Sequence, residues 1–280
     1  MTARDTQFIT FGGGYSRYRR AARRLARQAH CSGVFRSVDA ITDEDLRRDH
    51  DSFLTNNAAL LHREVRGFGY WLWKPYLIYE ALCSSSAGYV CFLDAGCVLN
   101  LTSARARERF DEYHDMADAD GLALAQQSYE EQAWCKADTM DRIGVNEIQR
   151  SSGQFWAGML IVRNTSSNRD LIGLWLDLCN EDDHHYLDDS PSERPNASVF
   201  QEHRHDQSIL SCLCKTAGVS GFPDETDFSS SWSTLGADFP VWAARHRWGG
   251  PFRPDGPAPL SRYVEWGVDR TERFLATRRA

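Results

Sequence analysis

Apolar runs alternate with amphipathic stretches along most of the chain, and this pattern predicts strands separated by helices. Strands are expected at residues 7–11, 89–93, 121–126 and 154–162. Helices are expected at residues 15–29, 42–61, 73–83, 104–116, 137–143, 168–179 and 206–217. Because this alternation is typical of parallel sheets, we expect one α/β domain with a mostly parallel central sheet flanked by helices. After Gly221 the pattern dissolves, so the C-terminal segment is expected to be irregular.

The first predicted helix has one apolar face and one arginine-rich face. The apolar positions recur at helical spacing and are Tyr18, Ala22, Leu25 and Ala29. The basic positions are Arg17, Arg20, Arg23, Arg24 and Arg27. We expect the arginines to be solvated, and attraction to anionic lipid head groups is the functional alternative.

The composition is that of an ordinary soluble globular protein, with 42% hydrophobic and 25% charged residues in a chain of 280. The formal net charge of −7 argues against a general nucleic-acid binder, which would carry a basic excess. No secretory signal and no membrane-spanning stretch is visible in the sequence. The 8 cysteines form no Cys-x-x-Cys pair, so buried free thiols in a reducing cytoplasm are expected.

One carboxylate, Asp94, directly follows the apolar run Tyr89–Leu93 and opens the turn Asp94-Ala95-Gly96. In α/β folds, side chains at the C-terminal edge of a buried strand face the crevice where ligands bind. An Asp-x-Gly sequence also ends many strands for turn chemistry alone. The functional interpretation is that Asp94 binds a ribose hydroxyl or a divalent ion that neutralises a diphosphate.

Four further segments place small or polar residues beside predicted elements. Residues 11–15 (FGGGY) join a strand to a helix and favour either a tight turn or a phosphate-binding loop. Ala157-Gly158 leaves room for a ligand or serves core packing. In residues 203–206 (HRHD), Asp206 is expected to cap a helix, and a metal site is the alternative. Residues 246–250 (HRWGG) are a candidate source of a late metal or phosphate ligand.

Taken in order, these segments resemble the retaining nucleotide-sugar glycosyltransferases of family 8 and their relatives with the GT-A fold. Residues 8–11 with Tyr15 resemble the family's first strand and uracil-stacking aromatic, and residues 92–96 (FLDAG) resemble its Asp-x-Asp strand. The remaining matches are residues 155–161 (FWAGMLI) to the Phe-Asn-Ala-Gly strand, 206–210 (DQSIL) to the Asp-Gln-Asp-Ile-Leu helix start, and 246–254 (HRWGGPFRP) to the late His-x-x-Gly-x-x-Lys-Pro loop. Residues 66–76 (RGFGYWLWKPY) resemble a signature of bacterial polysaccharide glycosyltransferases.

The resemblance implies a single GT-A-type, Rossmann-like domain over residues 1–280. Within it, residues 7–126 would bind the nucleotide, residues 127–254 would face the acceptor, and residues 255–280 would form a tail. Two positions depart from the family pattern. Gly96 stands where the family has the second metal-binding acid, which puts metal dependence in doubt. Trp156 replaces an amide that would meet the sugar or the acceptor.

The resemblance also implies a role for individual residues. Gln207 would lie beside the anomeric carbon, and Asp206 is the candidate base if the enzyme inverts. The expected nucleotide-binding residues are Phe11, Gly12, Tyr15, Lys74, Asp94, Ala95 and Gly96. The expected sugar- and acceptor-binding residues are Trp73, Gln154, Trp156, Ala157, Gly158 and His205. His246 and Arg253 are expected at the phosphates, and Asp94 with His246 at a divalent metal, Mn or Mg.

The leading hypothesis is transfer of a sugar from a nucleotide-diphosphate donor, expected to be a UDP-sugar, to a hydroxyl of a glycan or glycolipid. Retention of configuration and a role in bacterial surface polysaccharide synthesis are expected. The first alternative is a metal-dependent phosphoester hydrolase built on His203, His205, Asp206 and Asp94. The second is a nucleotide-sugar-binding protein without activity. The expected location is the cytoplasm, with peripheral contact at the inner face of the membrane as a further expectation.

Overall fold

The computed structural model describes residues 4–228 and 231–254. Its strands are β1 (Thr6–Gly12), β2 (Ser37–Thr42), β3 (Tyr89–Leu93), β4 (Val98–Leu99), β5 (Leu122–Ala123), β6 (Ala125–Glu130), β7 (Gly153–Phe155), β8 (Met159–Arg163), β9 (Phe222–Pro223) and β10 (Val241–Trp242). Its helices are α1 (Ser16–Ser32), α2 (Asp43–Asp49), α3 (Asp51–Asn56), α4 (Gly67–Tyr70), α5 (Trp73–Ser84), α6 (Ala104–Asp120), α7 (Glu131–Trp134), α8 (Ala137–Ile143), α9 (Glu147–Arg150), α10 (Ser166–Asn180) and α11 (Asp206–Thr216). A short 3-10 turn, Glu181–His184, follows α10.

The main sheet has the spatial order β2–β1–β3–β8–β5. Strand β1 pairs in parallel with β2 and β3, whereas β8 pairs antiparallel with β3 and β5. Strand β5 therefore runs in the same direction as β1, β2 and β3. This confirms the predicted α/β fold with a mostly parallel sheet.

Helices cover both faces of this sheet because the side chains of a strand alternate between its faces. Ile9 and Phe92 pack in one apolar cluster with α5, α10 and α11. Phe8 and Cys91, each one position away, pack in a second cluster with α1 and α6. Strands β1 and β3 are thus buried on both sides, which explains why they read as continuous apolar runs.

The predicted strand at residues 154–162 is divided in the structure. Its first part, β7, pairs with β6 in a small separate sheet, and its second part, β8, joins the main sheet. Between them the chain turns at residues 156–158. A Cβ on Gly158 would lie 2.3 Å from the indole of Trp156, so any other residue there would displace that ring. Apolar character alone did not reveal the turn.

Other elements also differ from the prediction, and the predicted strand at residues 121–126 is two strands, β5 and β6, in different sheets. Strand β2 was missed because it lies at the edge of the sheet and mixes polar with apolar residues, which weakens the strand pattern. The predicted helix at residues 42–61 is α2 and α3, which break at His50 and end at Asn56. Its predicted start is confirmed, since Thr42 and Asp45 form a capping box.

The ends of several elements meet at one edge of the sheet. Strands β1 and β3 end there, and β8 begins there because it runs the opposite way. Helix α5 leads into β3, so its first turn lies at the same edge. Beyond Gly221 the described residues contain only the short strands β9 and β10, as the irregular pattern predicts. The predicted tail at residues 255–280 lies outside the described residues.

Candidate functional site

A buried lysine joins two of the sequence motifs at this edge. Lys74 lies in the first turn of α5, where Pro75 is tolerated because no helical hydrogen bond is lost. Its Nζ is 2.8 Å from a carboxylate oxygen of Asp206 and 3.5 Å from one of Asp94. Lys74 and Asp206 are almost fully buried, whereas one third of the Asp94 side chain is exposed. The ammonium thus bridges the end of β3 and the start of α11.

Burial and charge oppose each other at this bridge. Burial alone would lower the pKa of Lys74, but the carboxylates of Asp206 and Asp94 outweigh it and raise that pKa, so the ammonium stays charged. Burial raises the pKa of Asp206 to about 6, against the opposing effect of Lys74. Near neutral pH the bridge therefore pairs the ammonium of Lys74 with the carboxylate of Asp206.

The backbone before α5 is strained. Residues 67–71 all have positive φ, including 57° at Phe68 and 62° at Trp71, so α4 is a left-handed turn. Non-glycine residues in this region cost about 1–2 kcal/mol each. Such strain persists only where the surrounding structure enforces it, and it concentrates at ligand sites. The turn brings Tyr70 against His205, with ring centroids 4.7 Å apart.

A second strained residue stands directly before α11. His205 has φ 55° and ψ −125° and is the N-cap residue of the helix. Its Nδ1 bonds the carbonyl oxygen of Leu187 at 2.8 Å, and burial lowers the pKa of the imidazole to about 3, so the ring is neutral. The predicted capping role of Asp206 is wrong. Asp206 is the first helical residue, and its carboxylate faces Lys74 instead.

The turn after β3 connects three motifs that are distant in sequence. The Asp94 N–H donates to the carbonyl oxygen of Gly158 at 2.9 Å, which ties the turn to the start of β8. The His246 N–H donates to the carbonyl oxygen of Gly96 at 2.7 Å. The structure therefore brings together the motifs around Asp94, Gly158 and His246.

Arg24 holds this turn in place, and sequence reasoning missed it. Its guanidinium donates to the carbonyl oxygens of Ala95 at 2.7 Å, Cys97 at 2.8 Å and His246 at 3.1 Å. The expectation that the whole arginine-rich face of α1 is solvated is thus wrong at Arg24, which is 4% exposed. A signal was available, because Arg24 lies three residues after the buried Ala21, at the margin of the apolar face.

Gln207 is held by a network of amides. Its Nε2 donates to Oε1 of Gln154 at 2.7 Å, and its Oε1 accepts the N–H of Ala157 at 3.3 Å. Gln154 in turn donates to the buried carboxylate of Glu131 at 2.7 Å. The side chain of Gln207 is therefore fixed beside the 156–158 turn, as a group that orients a ligand must be.

Aromatic site candidates differ in their access to a ligand. Phe11 and Trp73 are buried and pack against each other, with ring centroids 4.2 Å apart. A Cβ on Gly12 would lie 2.2 Å from the carbonyl oxygen of Tyr18, so this glycine serves helix packing. Tyr15 is 42% exposed at the start of α1, and Trp156 is partly exposed. Stacking on a ligand is therefore open to Tyr15 and Trp156.

The donor atoms around Asp94 fit a divalent cation poorly. The carboxylate of Asp94 already faces Lys74, and Gly96 contributes no side-chain oxygen. The Nε2 of His246 bonds the carbonyl oxygen of Gly250 at 2.9 Å. Arg253 is exposed on the same C-terminal segment. The Mn or Mg site at Asp94 and His246 thus stays a prediction that the donor set does not favour.

Within residues 4–228 and 231–254, one other group has the spacing of metal ligands. Glu131, Cys135 and Cys212 are buried with their donor atoms within 4.8 Å of one another. Glu131 is already 2.8 Å from Lys215, and burial raises the pKa of the Cys212 thiol well above its usual range. A salt-bridged acid beside a protonated thiol is typical of a packed core rather than of a metal centre.

The geometry disfavours the hydrolase alternative. The Nδ1 of His203 accepts the N–H of Lys136 at 3.2 Å, and its Nε2 bonds the carbonyl oxygen of Tyr186 at 2.9 Å. Both ring nitrogens are therefore engaged by the backbone, which leaves no lone pair for a metal. Burial also lowers the pKa of His203 well below its usual range, so the ring is neutral.

No protein-family model and no curated protein matches this chain. Among solved structures, it is similar to the glycosyltransferase GlyE of Streptococcus pneumoniae TIGR4, with 15% identity over 82% of this chain and 48% of that chain and a TM-score of 0.42. The chain thus spans about half of that GlyE structure. It is similar to mouse xyloside xylosyltransferase 1, with 10% identity over 88% of this chain and 100% of that chain and a TM-score of 0.45.

A third similar structure is the galactosyltransferase LgtC, which was solved with donor and acceptor sugar analogues. It shares 16% identity over 90% of this chain and 88% of that chain, with a TM-score of 0.45. These three solved structures are glycosyltransferases, the class of enzyme that the sequence motifs resemble.

Proposed function

We propose that this protein is a glycosyltransferase that moves a sugar from a nucleotide diphosphate, a UDP-sugar by preference, to a hydroxyl of a glycan or glycolipid. The main observation behind this proposal is that Lys74 bridges Asp94 and Asp206 at the edge of the sheet. Gln207 follows Asp206 directly and contacts the backbone of Ala157. Motifs from four parts of the chain therefore converge where α/β folds bind ligands.

Each group has a role that its surroundings permit. Asp94 is accessible and is proposed to accept hydrogen bonds from donor hydroxyls. Tyr15, exposed at the start of α1, is proposed to stack on the nucleotide base. Gln207 is proposed to lie beside the anomeric carbon, where its amide dipole stabilises the developing positive charge.

Asp206 is a poor general base because it is buried and its carboxylate is engaged by Lys74. A base must lie within hydrogen-bond reach of the hydroxyl that it deprotonates. We therefore favour retention of configuration, in which the leaving phosphate takes the acceptor proton. Asp206 then orients the ammonium of Lys74 toward the donor.

The direct test is release of UDP from a panel of UDP-sugars by the purified protein, with a panel of glycan and glycolipid acceptors. The proposal expects turnover with at least one donor, and Gln207→Ala lowers it. Absence of UDP binding and of turnover across the panel would sink the proposal. Binding without turnover would instead favour the alternative of an inactive nucleotide-sugar-binding protein.

No helix among the described residues is long and apolar enough to cross a bilayer. We propose peripheral membrane contact through the exposed arginines of α1, Arg20 and Arg23. A surface role in polysaccharide synthesis at the inner face of the membrane would follow. Co-sedimentation with anionic vesicles tests this, and Arg20→Gln with Arg23→Gln is expected to reduce it.

A further inference from the structure

We infer that the donor site binds its nucleotide diphosphate without a divalent cation, because Arg24 places a fixed positive charge beneath the Asp94–Cys97 turn. The inference rests on the proposed function, since it concerns how the same site holds a diphosphate. Three observations support it: the surroundings of Arg24, the hydrogen bonds of the carbonyl oxygens in the turn, and the space at Gly96.

Arg24 is a buried cation without an acidic partner. Its guanidinium donates to three backbone carbonyl oxygens and to the side-chain oxygen of Gln28, and among residues 4–228 and 231–254 no carboxylate forms an ion pair with it. Burial lowers its pKa to about 10, which still leaves it protonated at neutral pH. A buried charge without a counter-ion is costly. A diphosphate bound over the turn would supply the missing negative charge.

The turn also offers little to a hard cation, which seeks free oxygen ligands. The carbonyl oxygens of Ala95 and Cys97 accept from Arg24, and that of Gly96 accepts from His246. All three carbonyl groups therefore already accept hydrogen bonds from the protein.

Space does not explain the glycine at position 96. A Cβ there would meet the backbone of Arg245 at 3.4 Å, which is an ordinary van der Waals contact. A Cβ at position 96 would thus fit beside the backbone of Arg245. The chain thus carries a glycine above a buried guanidinium, at the position where the family that it resembles has the second acid of a metal-binding pair.

The first experiment is calorimetric binding of UDP to the purified protein in EDTA and in MnCl₂. The affinity is expected to agree within about twofold between the two conditions, since each tenfold change would require 1.4 kcal/mol from the metal. A loss of more than about tenfold in EDTA that Mn²⁺ restores would overturn the inference and leave the proposed function standing. Failure to bind UDP in both conditions would remove both.

The second experiment changes the charge itself. Folded Arg24→Gln is expected to weaken UDP binding about 30-fold, and Arg24→Lys, which keeps the charge but loses the forked donors, about fivefold. Unchanged UDP affinity in a folded Arg24→Gln protein contradicts the inference. If Arg24→Gln does not fold, the Arg24→Lys result and the variants at position 96 decide it.

The third experiment builds the absent metal site. Gly96→Asp is expected to bind Mn²⁺ and to make UDP affinity at least about tenfold dependent on it, whereas the size-matched Gly96→Asn is not. Mn²⁺ binding is measured on the protein alone by electron paramagnetic resonance. Wild-type protein that binds Mn²⁺ as tightly as Gly96→Asp would refute the inference.

Discussion

Two buried lysine–carboxylate pairs lie at opposite ends of α11, and they differ in how completely their polar atoms are used. At the end of the helix, Lys215 lies 2.8 Å from Glu131 and also donates to the carbonyl oxygens of Gln149 and Ser152. Glu131 accepts further hydrogen bonds from Gln154 and from the hydroxyl of Ser211. This pair is closed within the protein.

At the start of the helix, the partners of Lys74 are the carboxylates of Asp206 and Asp94, and Asp94 is open to solvent. The backbone on both sides of this pair is strained, at residues 67–71 and at His205. Burial of an ion pair therefore does not identify a functional site. The distinguishing features are an accessible carboxylate and strain in the supporting backbone.

The largest expected effect comes from removing the cation of each pair. Lys74→Met is expected to lower sugar transfer at least about 100-fold, because a charged group that faces the donor is lost. Lys215→Met is expected to cost about 3 kcal/mol of folding stability, since it strands the buried carboxylate of Glu131. Steady-state kinetics and urea denaturation of both variants measure these effects.

Lys74 is also expected to stabilise the fold. The comparison therefore uses, for each variant, the ratio of the loss of sugar transfer to the loss of folding stability. The folded fraction of Lys215→Met is expected to keep transfer within about threefold of wild type, well below the loss that removal of an active-site charge causes. Equal losses of transfer in the two folded variants would erase the distinction between the pairs.

A smaller effect is expected at the residue that links the two pairs. Gln207→Ala is expected to lower kcat about 30-fold with KM nearly unchanged, because its amide acts on the transition state. The control is Gln132→Ala, a partly exposed glutamine whose side chain bonds Glu130. A rise in KM with kcat unchanged would move Gln207 from the reacting centre to ground-state binding.

The pair formed by Lys74 and Asp206 is also expected to make folding stability depend on pH. Burial raises the pKa of Asp206 from 3.8 to about 6, so the folded protein holds a proton that the unfolded chain releases between these values. Stability from this group is present at low pH and falls as pH rises toward 6, by at most about 1.4 kcal/mol per pH unit.

Asp206→Asn removes that titration. Urea denaturation of wild type and variant from pH 4 to 7 is expected to show a steeper decline for wild type within about pH 4–6. If the stability of both proteins changes in parallel with pH, Asp206 is ionised over the whole range from pH 4 to 7, and this prediction is wrong.

The smallest effect is expected outside both pairs, at an exposed aromatic. Tyr15→Ala is expected to weaken UDP binding about fivefold, because one base-stacking contact is worth about 1–3 kcal/mol. The melting temperature should not change, since 42% of the side chain is exposed. The matched control is Tyr129→Ala, another exposed tyrosine. Equal UDP affinity of both variants and wild type would place the base elsewhere.

Much of the fold was readable from the chain because its signals are local. Apolar runs identified β1 and β3, and the capping sequence at Thr42 identified the start of α2. Edge strand β2 and the turn at residues 156–158 were not readable, because pairing position and side-chain packing decide them. The order of the motifs also predicted that Asp94, Gly158 and His246 belong to one site, and the backbone hydrogen bonds join their segments.

The sequence by itself determined which residue types stand at the ends of the elements, since helix and strand periodicities depend on neighbours a few positions apart. Only the tertiary structure decided which charges are buried and with whom they pair. Asp206 looked like a helix cap and pairs with Lys74, which lies 132 positions earlier in the chain (206 − 74). Arg24 looked solvated and holds the Asp94–Cys97 turn. Partner choice at such distances follows from the order of strands in the sheet, which no local pattern encodes.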